Sequence, residues 1–226
     1  MQQSSLPFTG DQKVGRSLLS KIERRAIDWI VPRLPSWIHS YHLTLATIPI
    51  SLLIVLFSYL AIHHIAWLWG VSGMIALQYI TDALDGSLGK YRQAGLRRWG
   101  YYMDHFLDYI FLCSILAGYS LILPDHFKYL QFFVLIVFGA FMVNAYLAFS
   151  ATNKFRVAYL GIGPTEIRAL FIAINTLIIL FGKTYLGAWL PAVLLLAVLG
   201  LCLVVYRTQK QIWEIDMERK KLTGEG

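Results

Sequence analysis

The residues with the most chemistry in them lie between positions 82 and 108. Asp82 and Asp85 are three apart and Asp104 and Asp108 four apart, in the run TDALDGSLGKYRQAGLRRWGYYMDHFLDYI from Thr81 to Ile110. Either spacing puts both acids of a pair on one face of a helix. The segment between the pairs is short enough to bring two antiparallel helix ends together, so four carboxylates can converge on one small volume. Unpaired, they would repel one another and resist ionisation. Divalent cations relieve that repulsion, and an all-oxygen donor set that needs no Cys or His suits Mg2+ or Mn2+. Two such ions, about 3.5–4 Å apart, could clamp a phosphoryl group. Gly86, Gly89 and Gly100 remove side chains beside the acids, where a nucleotide could approach the backbone. Lys90 adds a charge that can meet a phosphate.

The elements that must hold these residues are apolar. The chain has 226 residues, 57% of them hydrophobic and 15% charged, against about 25% charged in an average soluble domain. The charges are clustered between long apolar runs. This composition predicts an all-α, polytopic membrane protein. Six spans are expected, at about 43–62, 65–80, 99–123, 127–150, 164–181 and 185–206. The second is short for a bilayer, so its helix is expected to run on through Asp82 and Asp85 and place them near one membrane face. Ahead of the spans, residues 17–31 have Leu18, Ile22, Ala26 and Trp29 on one face, which predicts an amphipathic helix in the membrane interface. Pro32 and Pro35 break it. The expected organisation is an N-terminal segment at 1–42, a membrane domain at 43–206 and a charged tail at 207–226. The first forty residues do not read as a signal peptide.

Six spans leave both termini on one side. Eighteen of the 20 Lys and Arg fall on that side, and only Lys128 and Lys183 face the other. The positive-inside rule then puts the termini and the aspartates in the cytoplasm. The formal charge of +7 is accounted for by topology and anionic headgroups, which leaves no case for nucleic acid as a partner. Cys113 and Cys202 lie inside apolar segments without metal spacing and read as small buried hydrophobes.

The aspartate stretch resembles a known signature. Asp82-x-x-Asp85-Gly86-x-x-Gly89-Lys90, nine residues, then Gly100-x-x-x-Asp104-x-x-x-Asp108 is similar to the motif D-x-x-D-G-x-x-A-R, about eight residues, G-x-x-x-D-x-x-x-D of the CDP-alcohol phosphatidyltransferases. In the segment before the first span, Leu43 and Thr44 match the end of the family's Pro-Asn-x-Leu-Thr run. Gly89-Lys90 stands where the family has Ala-Arg, which keeps a charge but loses the bidentate fork, and the spacer is one residue longer. The resemblance implies six transmembrane helices and a cytoplasmic-side site in a bacterial inner membrane. It implies an enzyme that moves a phosphatidyl or phospho-alcohol group from a CDP-linked donor to an alcohol hydroxyl, releasing CMP. It also implies two divalent ions held by Asp82, Asp85 and Asp104, and Asp108 as the general base, itself able to touch metal. A homodimer among membrane lipids is implied as well.

The expected substrates are CDP-diacylglycerol and a polar alcohol. The reverse, a CDP-choline or CDP-ethanolamine donor with a diacylglycerol-like acceptor, draws on the Asp104-His105-x-x-Asp108 run, which resembles choline and ethanolamine phosphotransferases. From a different class, a cation-coupled transporter could use the acids as an ion site. Their clustering at one face, with no midplane charge in the other spans, argues against it. Lys154, Arg156 and Arg168 lie on the same side as the acids and could bind a phosphate of the acceptor or of a lipid headgroup. Glu166 is expected to complement the N-terminal dipole of the fifth helix, and His105 to pack beside a metal ligand.

Overall fold

The structure, a computed structural model, describes residues 20–152, 163–182 and 184–223. Helices α1 (Ser20–Ile30), α2 (Ser40–Leu45), α3 (Thr47–Leu60), α4 (Leu68–Tyr91), α5 (Arg97–Ile122), α6 (Lys128–Thr152), α7 (Pro164–Phe181) and α8 (Thr184–Thr223) follow one another with short connections and, among the described residues, no strand. Pro49 separates α2 from α3, because it has no N–H for the carbonyl of Leu45. Pro164 opens α7 in its first turn, where a missing N–H costs nothing. The Glu166 carboxylate accepts from the Gly163 N–H at 2.9 Å, the cap expected of an acid at that position.

Among the described residues, five helical segments are long and apolar enough to cross a membrane: Ser40–Leu60, Arg98–Ile122, Asp125–Thr152, Pro164–Phe181 and Gly187–Thr223. Their outer faces carry exposed Leu52, Leu147, Leu180 and Leu196, as helices in lipid do. Helix α4 is not one of the five. Its 24 residues reach about 36 Å, but its second half holds Asp82, Asp85 and Lys90. Helix α8 runs unbroken through 40 residues, about 60 Å, so the charged tail is a helical continuation of the last span.

Helix α3 lies against both α4 and α5, α4 also lies against α7, and α6 packs on α8. Closeness between α3 and α5 depends on small residues. A Cβ added at Gly118 would come within 2.9 Å of the Ser58 Cβ, which is how membrane helices gain contact without a hydrophobic driving force. On α4 the buried stripe Leu68, Val71, Ile75 and Gln78 continues in register to Asp82 and Asp85. On α7 the buried stripe is Arg168, Phe171, Asn175 and Ile178. A polar chain ties these faces together. The Tyr119 hydroxyl donates to Asn175 Oδ1 at 2.9 Å, and Asn175 Nδ2 donates to Ser72 Oγ at 3.1 Å.

Helix α1 has two apolar sides. Ile27, Ile30, Val31 and Leu34 rest on Leu84 and Leu88 of α4, a bundle-facing set that the sequence reading did not separate out. Ala26 and Trp29 of the stripe expected to meet the interface are exposed, while Leu18 and the side chain of Ile22 lie outside the described residues. Arg92, just past α4, donates to the carbonyls of Leu34, Pro35, Ser36 and Ile38. The N-terminal segment is thus fastened to the helix that carries the first acid pair.

Candidate active site

Four helices build the site. The stripe of α4 supplies Asp82 and Asp85, one turn apart. The facing stripe of α5 supplies Asp104 and Asp108. Between the helices, Arg92, the left-handed Gln93 (φ 50°) and Gly95 (φ 70°) turn the chain. At Gly95 glycine takes that angle without the steric cost of a Cβ. Helices α2 and α7 then contribute one side chain each, Thr44 and Arg168.

Asp82, Asp104 and Asp108 each offer a carboxylate oxygen, and these atoms lie within 4.8 Å of one another. Asp85 is not one of that trio. Its Oδ2 accepts from the Thr44 hydroxyl at 2.8 Å. Arg168 reaches two acids at once: Nη1 lies 2.9 Å from Asp82 Oδ2 and Nη2 lies 3.3 Å from Asp108 Oδ1. Gln78 Nε2 donates to the same Asp108 oxygen at 3.3 Å. The side chains of Asp82, Asp108 and Asp104 are 25%, 28% and 33% exposed, while that of Arg168 is 8% exposed. The acids therefore line an accessible surface, and the guanidinium sits behind them between the rings of Tyr79 and Phe111.

Four carboxylates face one guanidinium, so the cluster keeps an excess of negative charge that calls for cations. An all-oxygen donor set of this density fits a hard divalent ion. Glycine at two neighbouring positions points the same way. A Cβ at Gly86 or Gly100 would meet nothing within 4 Å, and neither glycine has a positive φ. Each costs its helix about 1 kcal/mol relative to Ala without a reason in the chain's own packing. Gly89 differs, since its Cβ would touch Ser40 at 3.5 Å. Lys90 is exposed in the last turn of α4, beside these glycines.

His105 packs against Tyr101 and Tyr146, with Nδ1 3.4 Å from Asp104 Oδ2, beside the cluster. Arg168, expected on the same side as the acids, reaches them directly. Lys154 and Arg156 lie outside the described residues. Gln78 went unremarked in the sequence, although a lone amide four residues before Asp82 in an apolar run was a usable signal. Thr44 had only its match to a family run to mark it.

The family model described as CDP-alcohol phosphatidyltransferase matches residues 37–207 of this chain. That range contains every residue of the cluster. No curated protein matches the chain significantly.

Proposed function

The chain belongs to the CDP-alcohol phosphatidyltransferase family, and we propose that it transfers the phosphatidyl group of CDP-diacylglycerol to a polar alcohol. Membership makes it an integral membrane transferase of phospholipid synthesis that uses a CDP-alcohol. The choice of donor and acceptor, the metal and the residue roles form the proposal. The observation that carries it is the convergence of Asp82, Asp104 and Asp108 within 4.8 Å, beside two glycines that leave open space.

Asp82, Asp85 and Asp104 would hold two Mg2+ or Mn2+ ions. When bound, such ions neutralise a pyrophosphate and the charge developing on it. Gly86 and Gly100 admit the donor close to the backbone, and Lys90 meets its phosphate. The acceptor hydroxyl oxygen attacks the phosphorus nearest the diacylglycerol. The bond from that phosphorus to the CMP oxygen breaks, CMP leaves, and Asp108 takes the hydroxyl proton. A base must reach that proton, and Asp108 lines the accessible side of the cluster.

Six spans with α4 as the second, cytoplasmic termini, a site at the cytoplasmic face of a bacterial inner membrane, and a homodimer complete the reading. The one-sided distribution of Lys and Arg supports the orientation. The test is CMP release by purified protein with Mg2+ or Mn2+. One arm offers CDP-diacylglycerol with a panel of polar alcohols, and the other offers CDP-choline or CDP-ethanolamine with diacylglycerol. Turnover is expected in the first arm. Asp108→Asn is expected to lose about 100-fold or more in kcat with an unchanged melting temperature. Full activity of Asp108→Asn would remove the base from the scheme, and turnover confined to the second arm would reverse donor and acceptor.

A further inference from the structure

We propose that Gln78 is a positioning residue whose amide orients Asp108 for the transfer. The inference rests on Asp108 taking part in that reaction, and it holds whether the carboxylate takes the proton, touches metal or does both. Gln78 follows the apolar run Ile75-Ala76-Leu77, one turn before Asp82. It belongs to the inward stripe of α4, with Leu68, Val71 and Ile75, and is 1% exposed. A polar side chain buried in an apolar helix of a membrane protein asks for a reason.

Helix packing does not supply that reason. Nε2 donates to Asp108 Oδ1 at 3.3 Å, longer than the usual charge-assisted bond. Bonds between side chains of neighbouring membrane helices contribute, on average, about a third of what a buried acceptor without a partner costs. Gln78 carries such an acceptor. Its Oε1 is buried and, among the described residues, has no hydrogen-bond partner. Removing the amide takes that orphan away. It creates none at Asp108, because Arg168 Nη2 also meets Oδ1 at 3.3 Å. An apolar side chain of the same length should therefore hold α4 in place at least as well. A residue that departs from what its own packing favours, next to a reaction centre, marks a functional position.

The function follows from the directions of the two donors. Arg168 reaches Oδ1 from α7 and Gln78 reaches it from α4. The last torsion of an aspartate is broad, not locked in staggered wells, so one donor leaves the carboxylate free to turn about the contact. Donors on two helices fix both its place and its plane. A shift of about 1 Å at a reacting group lowers turnover about 100-fold. Reach matters as well. With Nε2 already 3.3 Å away, the amide of an asparagine, one methylene shorter, falls short of Asp108.

The experiment compares wild type, Gln78→Met, Gln78→Asn, Asp108→Asn and the Gln78→Met/Asp108→Asn double variant in detergent. CMP release at saturating Mn2+ gives kcat and the two KM values, and a thermal scan gives the melting temperature. Methionine keeps the length and bulk of glutamine without a donor. Gln78→Met should lose about 10–100-fold in kcat, the range for partners that orient site residues. Both KM values should stay within about threefold of wild type, and the melting temperature should hold or rise. Gln78→Asn should be as slow as Gln78→Met. The double variant should be no slower than Asp108→Asn alone, since residues that act as a unit do not add. Wild-type turnover in Asp108→Asn would fault the role of Asp108, on which the proposal rests. With that control slow, the other results bear on Gln78 alone. Wild-type kcat in Gln78→Met or in Gln78→Asn would overturn the proposal. A raised acceptor KM with normal kcat would overturn it in favour of substrate binding. Losses that multiply in the double variant would show that Gln78 acts elsewhere. Failure of Gln78→Met to fold, or a melting temperature lower by more than about 5 °C, would make the amide a structural tie and overturn it too.

Discussion

Thr44→Val isolates one hydrogen bond with little change of shape. Thr44 is buried at 6% exposure, and its hydroxyl lies 2.8 Å from Asp85 Oδ2 and 3.2 Å from the Ser40 carbonyl. A hydroxyl has one proton, and the shorter, charge-assisted contact to Asp85 takes it. Hydrogen bonds to charged groups contribute about 1.5–3 kcal/mol. If Asp85 binds a divalent ion, that loss weakens ion binding by about 10–100-fold, the range in which removing a partner of a metal ligand falls. The assay is the Mn2+ concentration giving half-maximal CMP release. Thr44→Val should require about 10–100-fold more Mn2+, approach wild-type kcat at saturation and melt within a few degrees of wild type. Thr44→Ser, which restores the hydroxyl, should recover most of the affinity. An unshifted Mn2+ requirement in Thr44→Val would refute the link between Thr44, Asp85 and the ion, as would a Thr44→Ser variant no better than Thr44→Val.

Gly86→Ala should separate stability from function. Nothing lies within 4 Å of the added Cβ and Ala is the better helix former by about 1 kcal/mol, so the melting temperature should hold or rise while the donor KM increases; an unchanged KM would mean that no ligand approaches there. Gly118→Ala should act in the opposite way, on stability first. Its Cβ falls 2.9 Å from the Ser58 Cβ, and overpacking of this kind costs about 1–3 kcal/mol. The thermal midpoint should drop, with partial recovery in a Ser58→Gly/Gly118→Ala double variant.

The acid pairs were legible in the sequence because each is local. Three and four residues are the distances at which one helix repeats a face, so Asp82 with Asp85 and Asp104 with Asp108 follow from spacing alone. The membrane class was legible for a similar reason, since an apolar solvent leaves its mark on composition. Tertiary structure decided which side chains from different helices meet. Spacing did not show that Asp82 rather than Asp85 would join Asp104 and Asp108 in the closest group, or that Thr44 would bond Asp85 across 41 residues. Nor did it show that Ile27 and Ile30 of α1, with Val31 just after it, would face the bundle, apart from the stripe that the periodicity picked out. Arg168 shows the reason most clearly. Its sequence surroundings, a basic residue near the start of a span, are those of a topology signal. Helical period fixes a residue's face within its own helix, but not how that helix is rotated against its neighbours. That rotation is set by contacts such as Ser58 against Gly118 and Asn175 between Ser72 and Tyr119. Through it the cluster acquired the arginine behind the four aspartates.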